Sequence, residues 1–262
     1  MITSPDNKQI KNVMQLLSKS KARKEQDAFV IEGIKLFEEA PEDSILQAFV
    51  SESCTYKSQK LDKVPHEMVK DEVFRKMTDT LTPQGVLCVV KKRSWKLSDI
   101  ISAGRGKSPV YLVIENLQDP GNLGTIMRTA EGAGVSGIIL NEGAVDIYNP
   151  KTVRSTMGSI FRVPFVYESD LKTSVSKLKE AGVTCFAAHL KGENSCYETD
   201  FSGPSAFFVG NEGNGLSDEI TALADVLIKI PMEGKLESLN AAVSAAVLVY
   251  EAKRQRLAQN PG

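Results

Sequence analysis

The chain is short of the residues that build metal centres and covalent cross-links. Its 262 residues include four cysteines, Cys54, Cys88, Cys185 and Cys196, and two histidines, His66 and His189. No two cysteines form a C-x-x-C pair, so neither a structural zinc site nor a disulfide framework is expected. Both absences favour a reducing, cytoplasmic setting. Long apolar runs are missing too. The longest, around Ala241 to Tyr250, is too short to span a bilayer and is interrupted by Ser244. The opening MITSPDNKQIKNVMQ has no apolar h-region, so no secretion signal is expected. A strong charge of one sign is also lacking. The net charge of −1 does not announce a nucleic-acid binder.

The rest of the composition is that of a globular protein, 42% hydrophobic and 25% charged. The length allows one large domain or two ordinary ones. Charge is unevenly spread: residues 1–105 carry a net +3 and the remainder −4. From Lys8 to Lys24 there are six basic residues, Lys8, Lys11, Lys19, Lys21, Arg23 and Lys24, and no acidic one. Two readings stand for this run, a solvated helix face or a phosphate-contacting patch.

Periodicity organises the chain into two α/β parts. KNVMQLLSKSKARK spaces Val13, Leu16 and Leu17 as one amphipathic helix. DAFVIEG and ILQAFVSES are expected strands, IKLFEEA and DEVFRKMTD helices, and GVLCVVKK a strand ending this part near Trp95. SDIISAGRGKSP, residues 98–109, mixes polar residues with Gly104, Gly106 and Pro109 and is expected to be the linker between domains at 1–97 and 110–262. Beyond it, apolar runs at VYLVIENL, GIILNEG, VPFVYE, VTCFAAH, SAFFVGNEG and VLIKIPM alternate with helical segments. That alternation predicts a mostly parallel sheet covered on both faces, with a ligand at the carboxyl ends of its strands.

Three loops at such strand ends hold the chemistry-bearing residues. In ENLQDPGNLGTIMRTAEGAGV, Pro120-Gly121 makes a turn, Asn122 is placed to cap the next helix, and Arg128 falls mid-helix. Arg128 reads either as a solvated surface residue or as a group aimed at a phosphate or oxyanion. Gly121, Gly124 and Gly132 do not have the dinucleotide-binding spacing. In FFVGNEGNGLSDEI, Gly210, Gly213 and Gly215 follow a strand directly, and Glu212 sits where a plain turn needs no carboxylate. In IPMEGKLESLN, Pro231 ends a strand, Gly234 permits a turn, and Ser238 or Asn240 caps a long helix. A helix needs one cap, so this polar loop points to a ligand.

Together these segments resemble the motifs of the SpoU/TrmH family of SPOUT methyltransferases. The likeness rests on Asn122, Gly124 and Arg128-Thr129-Ala130, on Gly210 to Gly215, and on Ile230-Pro231-Met232 with Ser238-Leu239-Asn240. NPKTVRSTMGSIFRVPF, with Arg154 and Ser155, resembles a fourth element of the family. The motifs run in family order through residues 110–256, and Ala241-Ala242 stands where a Val-Ser pair is usual. The first hundred residues are similar to the L30e-like substrate-binding domain often fused to these enzymes.

The resemblance implies an S-adenosylmethionine-dependent RNA ribose 2′-O-methyltransferase that needs no metal. It implies an α/β SPOUT domain with a deep trefoil knot at its C-terminal end, joined to a small N-terminal L30e-like α/β domain, and a homodimer with the active site at its interface. Carried over by motif position, Ala188, Leu190, Gly210, Asn211, Gly215, Ile230, Met232 and Leu239 would hold the cofactor. Arg128 would be the central catalytic residue, supplied by the partner subunit in some family accounts. A guanidinium pKa above about 12 suits phosphate anchoring and alkoxide stabilisation better than proton abstraction. Asn122, Glu212, Ser238 and Asn240 would position ribose, arginine or cofactor. Lys8, Lys11, Lys21, Arg23 and Lys24 become expected RNA contacts, and Arg154 either an RNA contact or a salt bridge in the dimer interface. Ribosomal RNA is favoured over tRNA because the L30e-like domain is often absent from forms acting on one tRNA site; the alternatives are a tRNA ribose 2′-O-methyltransferase or a catalytically silent RNA-binding homologue.

Overall fold

A computed structural model describes residues 1–104, 108–189, 192–236 and 238–259. In the first part, helices α1 (Lys8–Ser18) and α2 (Ser20–Glu25) precede strand β1 (Ala28–Glu32). Then come α3 (Ile34–Glu39), β2 (Ile45–Ser51), α4 (Gln59–Lys63), β3 (His66–Val69), α5 (Asp71–Lys76) and β4 (Val86–Lys91). Next follow α6 (Leu97–Ala103), β5 (Val110–Ile114), α7 (Pro120–Ala133), β6 (Gly137–Asn141), α8 (Pro150–Thr156), β7 (Phe165–Glu168) and α9 (Leu171–Glu180). The chain closes with β8 (Thr184–Ala188), β9 (Asn194–Ser195), β10 (Ser205–Val209), α10 (Asp218–Thr221), β11 (Val226–Lys229) and α11 (Ala241–Gln259). Among the described residues no helix is long and apolar enough to cross a membrane.

These elements form two units. One holds residues 1–93 with 146–161, the other 94–145 with 162–262. The first unit has a four-stranded sheet in the order β1-β4-β2-β3, antiparallel except for the β2–β3 pair. Val13, Leu16, Val30, Phe49, Phe74 and Leu87 meet in its core. The edge strand β3, HEMV, escapes a periodicity search because only Val69 is buried.

The single basic helix expected over 11–24 is instead two, broken at Lys19, whose φ of −122° and ψ of 115° are extended. The break turns Arg23 back onto the end of α1. Its Nη1 donates to the carbonyls of Leu16 (2.7 Å) and Leu17 (3.2 Å), groups a helix end leaves without partners. Its Nε and Nη2 donate to Asp146 Oδ2 at 2.9 and 2.8 Å. Lys60 does the same for α3. Its ammonium donates to the Glu38 carbonyl at 2.8 Å and to that of Ala40, over the Phe37 ring.

Asp146 begins the segment that a contiguous second domain would have claimed. Residues 146–161 instead pack with the first unit: Phe29 meets Tyr148 and Phe161, and Tyr148 Oη donates to the Arg93 carbonyl at 2.8 Å. The chain therefore passes between units three times, at 93/94, 145/146 and 161/162. The expected linker at 98–109 is also largely helix. Leu97, Ile100 and Ile101 of α6 are buried in the core of the second unit, and residues 105–107 lie outside the described residues.

The second unit carries a seven-stranded sheet in the order β7-β6-β5-β10-β8-β11-β9, and every pairing in it is parallel. VYLVI of β5 and SAFFV of β10 are buried at every position, as central strands covered on both faces must be. Cys185 is core here and Cys88 in the first unit, each with its thiol pushed up to about 12 by burial. Trp95 stacks obliquely on Phe165 against the same core. From β5 the order runs through β6 and β7 on one side and through β10, β8, β11 and β9 on the other. The loops after β5 and β10 thus diverge and leave a crevice at the carboxyl ends of the strands.

Candidate active site

The crevice opens into a cavity of about 740 Å³. That lies within the roughly 300–1,000 Å³ of small-molecule sites. The loop after β10 forms one wall. Asn211 and Gly215 exchange backbone hydrogen bonds at 2.9 and 3.0 Å, closing a tight turn with Gly215 at φ 69°. A Cβ at Gly210 would run into the backbone of Gly215 and Leu216, so glycine is required there. The far end of the loop is tied down by buried Glu115, which accepts from the N–H (2.8 Å) and Oγ (2.7 Å) of Ser217. The second wall is built from described residues of 230–236 and 238–241, among them Ile230, Met232, Ser238 and Leu239, and Ala188 and His189 at the end of β8 also line the cavity.

At one rim stands a hydrogen-bonded relay. Asp119, not Asn122, caps α7: its carboxylate accepts from the Asn122 N–H at 2.8 Å, with Pro120 at the first helical position. This frees the Asn122 side chain. Its Nδ2 donates to Glu212 Oε1 at 3.0 Å, and its Oδ1 accepts from Asn240 Nδ2 at 3.0 Å. Asn240 Oδ1 accepts from the N–H groups of Ala242 (2.9 Å) and Val243 (3.3 Å), so it is the cap of α11. Glu212 also accepts from the N–H groups of Gln118 (3.0 Å) and Asp119 (2.8 Å). Partial burial pushes the Glu212 carboxyl up. The hydrogen bonds from Asn122 and from the Asp119 and Gln118 backbone outweigh it and hold the group below its ordinary range.

The donor set suits a small polar ligand with an apolar part. Loop backbone dominates the lining, beside the side chains of Leu216, Met232, Leu236, Leu239 and Leu248. The N–H groups of Met232 and Leu239 donate to no described residue. Among the described residues no group of three or more His, Cys, Asp or Glu stands together to hold a metal ion.

Comparison with known proteins gives the family of the chain. The SpoU rRNA Methylase family profile matches residues 109–250, and that of the MRM3-like substrate binding domain matches residues 7–88. The chain belongs to the SpoU rRNA methylase family. It is 34% identical to the 23S rRNA (guanosine(2553)-2′-O)-methyltransferase RlmP of Bacillus subtilis (strain 168), over 95% of this chain and 97% of that protein. An AdoMet-bound rRNA methyltransferase from Sinorhizobium meliloti superposes with a TM-score of 0.87 at 32% identity, covering 97% of each chain. The SpoU methyltransferase AviRb from Streptomyces viridochromogenes, in complex with the cofactor AdoMet, superposes at 0.85 and 27% identity, covering 96% of this chain and 98% of that one. The α/β architecture with its parallel sheet is thus that of SpoU methyltransferases.

Within this SpoU fold the expected site residues divide. Ala188, Gly210, Asn211, Gly215, Ile230, Met232 and Leu239 all line the cavity, with Glu212 and Ser238. Leu190 lies outside the described residues. Asn122 and Asn240 stand at the rim through their bonds to each other and to Glu212. Arg128 is elsewhere. It is exposed on α7, does not line the cavity, and makes no hydrogen bond or ion pair with a described residue.

The expected RNA contacts also separate. Lys8, Lys11, Lys21 and Lys24 are exposed, with Lys11 near Asp6 and Lys21 near Glu25. Arg23 is 4% exposed and committed to Asp146 and α1, so it is removed from the set: its guanidinium cannot reach a phosphate without breaking those bonds. Arg154 pairs with Asp79 of its own chain at 2.7 Å, a partner neither expectation named. Sequence reasoning also passed over Gln118, Asn116 and Asn141. The signal was available only as Asp-Pro, which marks an N-cap at 119 and leaves the side chain of Asn122 free.

Proposed function

We propose that the chain transfers a methyl group to a ribose 2′-hydroxyl of ribosomal RNA. The observation that carries this is the glycine-walled cavity at the switch point of a SpoU parallel sheet, with the Glu212–Asn122–Asn240 relay at its rim. S-adenosylmethionine supplies an activated methyl group on a sulfonium. Backbone groups of Gly210, Ile230 and Leu239 would hold it, with Ala188 on the adenine side and Asn211, Gly215 and Met232 shaping the cavity. Ser238, with the Asn122 amide held by Glu212, would orient the acceptor ribose, so that the 2′-oxygen approaches in line. Arg128 would anchor a phosphate and stabilise the developing alkoxide.

Arg128 sits away from its own chain's cavity, and we assign it to the cavity of a partner subunit. The C-terminal helix supports such a homodimer. Val243, Tyr250 and Leu257 of α11 are 47%, 49% and 58% exposed at seven-residue intervals, an apolar stripe along one face. The stripe borders the helix that carries Arg128: a Cβ at Gly132, one turn beyond Arg128, would lie 2.9 Å from Tyr250 Oη. The deep knot belongs to the same reading. The strand order β5-β10-β8-β11, and the return of α11 onto α7, β5 and β10, are what a chain threaded through its own loop would give. The first unit, read as L30e-like, would present Lys8, Lys11, Lys21 and Lys24 to RNA phosphates. We place the enzyme in the cytoplasm, where its four unpaired cysteines would stay reduced.

The test is a methyl-transfer assay with tritiated S-adenosylmethionine, unmodified ribosomal RNA and, separately, tRNA. Nucleoside mass spectrometry locates the product, with Arg128→Ala as control. A 2′-O-methyl nucleoside in ribosomal RNA, lost in the variant, is expected. A methylated base, or product in tRNA alone, would overturn the assignment of acceptor or substrate.

A further inference from the structure

Helix α7, PGNLGTIMRTAEGA, holds two charged residues, Arg128 and Glu131. They are three positions apart, so their side chains are neighbours on one face of the helix, with Cβ atoms about 5–6 Å from each other. That face is exposed at Thr125, Arg128, Glu131 and Gly132, while Leu123, Ile126, Met127 and Ala130 are buried. Opposite charges at this spacing attract. Glu131 has a further reason to draw a cation, because it lies in the last turn of α7, where the helix dipole disfavours a carboxylate. Yet Arg128 makes no ion pair with Glu131 or with any other described residue.

The group that takes its place is Arg162, from the fourth family-like stretch, NPKTVRSTMGSIFRVPF. Its guanidinium meets Glu131 with two nitrogens on two oxygens. Nε donates to Oε1, and Nη2 donates to Oε2 at 3.2 Å. A forked pair is the strong form of an arginine–carboxylate contact, and it uses both carboxylate oxygens. The backbone of Arg162 is held in place, since Phe161 and Val163 on either side of it are buried. Lys253 of α11, another cation at this end of α7, is committed too. Its ammonium donates to the Gly132 carbonyl at 2.7 Å and lies over the ring of Tyr250.

We propose that Arg162 is a positioning residue for methyl transfer: it occupies Glu131, and so leaves Arg128 free to reach the substrate phosphate. The inference rests on the reading of Arg128 given above. Without Arg162 the Glu131 carboxylate does harm twice. It draws the Arg128 guanidinium back onto its own helix, and it sets a bare negative charge beside the phosphate that Arg128 is to hold. An exposed pair at this spacing shifts an equilibrium by only about twofold. The effect grows where an assembled site excludes water and the local dielectric falls. A surface pair contributes little to stability, so the loss of Arg162 belongs in the rate and not in the unfolding curve.

The test is a mutant cycle on the full chain, using the methyl-transfer assay with ribosomal RNA. Arg162→Ala is expected to lower kcat/KM for RNA by about three- to tenfold. Its urea midpoint and its affinity for S-adenosylmethionine should match the wild type. Adding Glu131→Gln should restore kcat/KM to within about twofold, because an amide neither captures the guanidinium nor repels phosphate. Glu131→Gln alone should stay near the wild type. Arg162→Lys, whose ammonium is a point charge that cannot fork onto both oxygens, should fall between. In an Arg128→Ala background, Arg162→Ala should cost nothing further. Wild-type kcat/KM in Arg162→Ala would overturn the proposal. So would a loss that Glu131→Gln does not rescue and that adds to the loss from Arg128→Ala, the signature of an arginine that meets RNA itself. In both cases a loss of methylation in Arg128→Ala leaves the reading of Arg128 standing. Full activity in Arg128→Ala, or no 2′-O-methyl product from the wild type, would overturn that reading and the proposal together.

Discussion

The two units use their polar side chains for opposite ends. In the first, charge is turned inward: Arg23 is buried against Asp146 and two helical carbonyls, and Lys60 closes the end of α3. In the second, the polar groups gather at the carboxyl ends of parallel strands, and Glu212, Asn122, Asn240, Asn116 and Gln118 hold loops around an open cavity. The reason is topological. A parallel sheet buried on both faces leaves its polar loops at the strand ends, where a ligand can meet them. A four-stranded, largely antiparallel sheet has no such crevice, and its charged side chains tie local helices and the 146–161 segment together. Arg23 and Arg128 show the contrast at one residue type, the first saturated with internal acceptors and the second with none among the described residues.

Substitutions can break that contrast, and the largest effect belongs to the buried pair. Arg23→Ala leaves Asp146 without its cation and should cost about 3–5 kcal/mol of stability. Urea unfolding followed by circular dichroism would measure it, with cofactor affinity retained under native conditions. If Arg23 instead serves RNA, stability will hold and RNA affinity will fall. Arg128→Ala should do the reverse: no change in the unfolding midpoint, with kcat lower by about 10²–10³-fold, the scale of one lost oxyanion-type donor. Mixing Arg128→Ala with a cavity variant such as Gly210→Val should partly restore activity if the arginine acts across a dimer, and an inactive mixture would place it in cis.

A subtler difference lies in pH. The native Glu212 carboxyl sits below its ordinary range, so its contribution is complete above the unfolded value and lost as pH falls through the lower native one. Cofactor affinity, read by calorimetry, should weaken below about pH 4.5 in the wild type and respond less in Glu212→Gln. An unchanged acid limb in that variant would show that the relay does not carry the dependence. The smallest effects belong to the exposed lysines. Replacing Lys8, Lys11, Lys21 or Lys24 with Ala should weaken RNA binding a few-fold each and reduce the slope of log K against log salt by roughly 0.7–0.9 per lost contact. An unchanged slope would mean that this surface does not meet phosphate.

Much of the site could be read along the chain because its motifs are local. Gly210 to Gly215 makes its own turn, and Ser238 to Asn240 directly precedes the helix it serves. The capping role expected of Asn122 does not hold. Capping is a contest among neighbours, and Asp119 ahead of Pro120 wins it, leaving Asn122 to bond Glu212 ninety residues away. The linker expected from Gly104 and Pro109 turned out to contain α6, since three apolar residues in seven are enough once a core stands beside them. The hydrogen bonds among Asn116, Gln118 and Asn141 were invisible, because these residues look like ordinary loop polarity until their amides are oriented by one another and by the backbone.

By itself the sequence determined the alternation of strand and helix, the parallel second sheet and the stretches that wall the cavity. Those depend on side-chain periodicity and turn chemistry within a few residues. Only the tertiary structure decided which polar groups are consumed inside the protein and which remain to act. That choice rests on partners distant in the chain: Asp146 for Arg23, Glu212 for Asn122, Glu115 for Ser217, and Asn141 for Asn116. A hydrogen bond is decided by the two groups brought within about 3 Å of each other, and folding alone sets that distance.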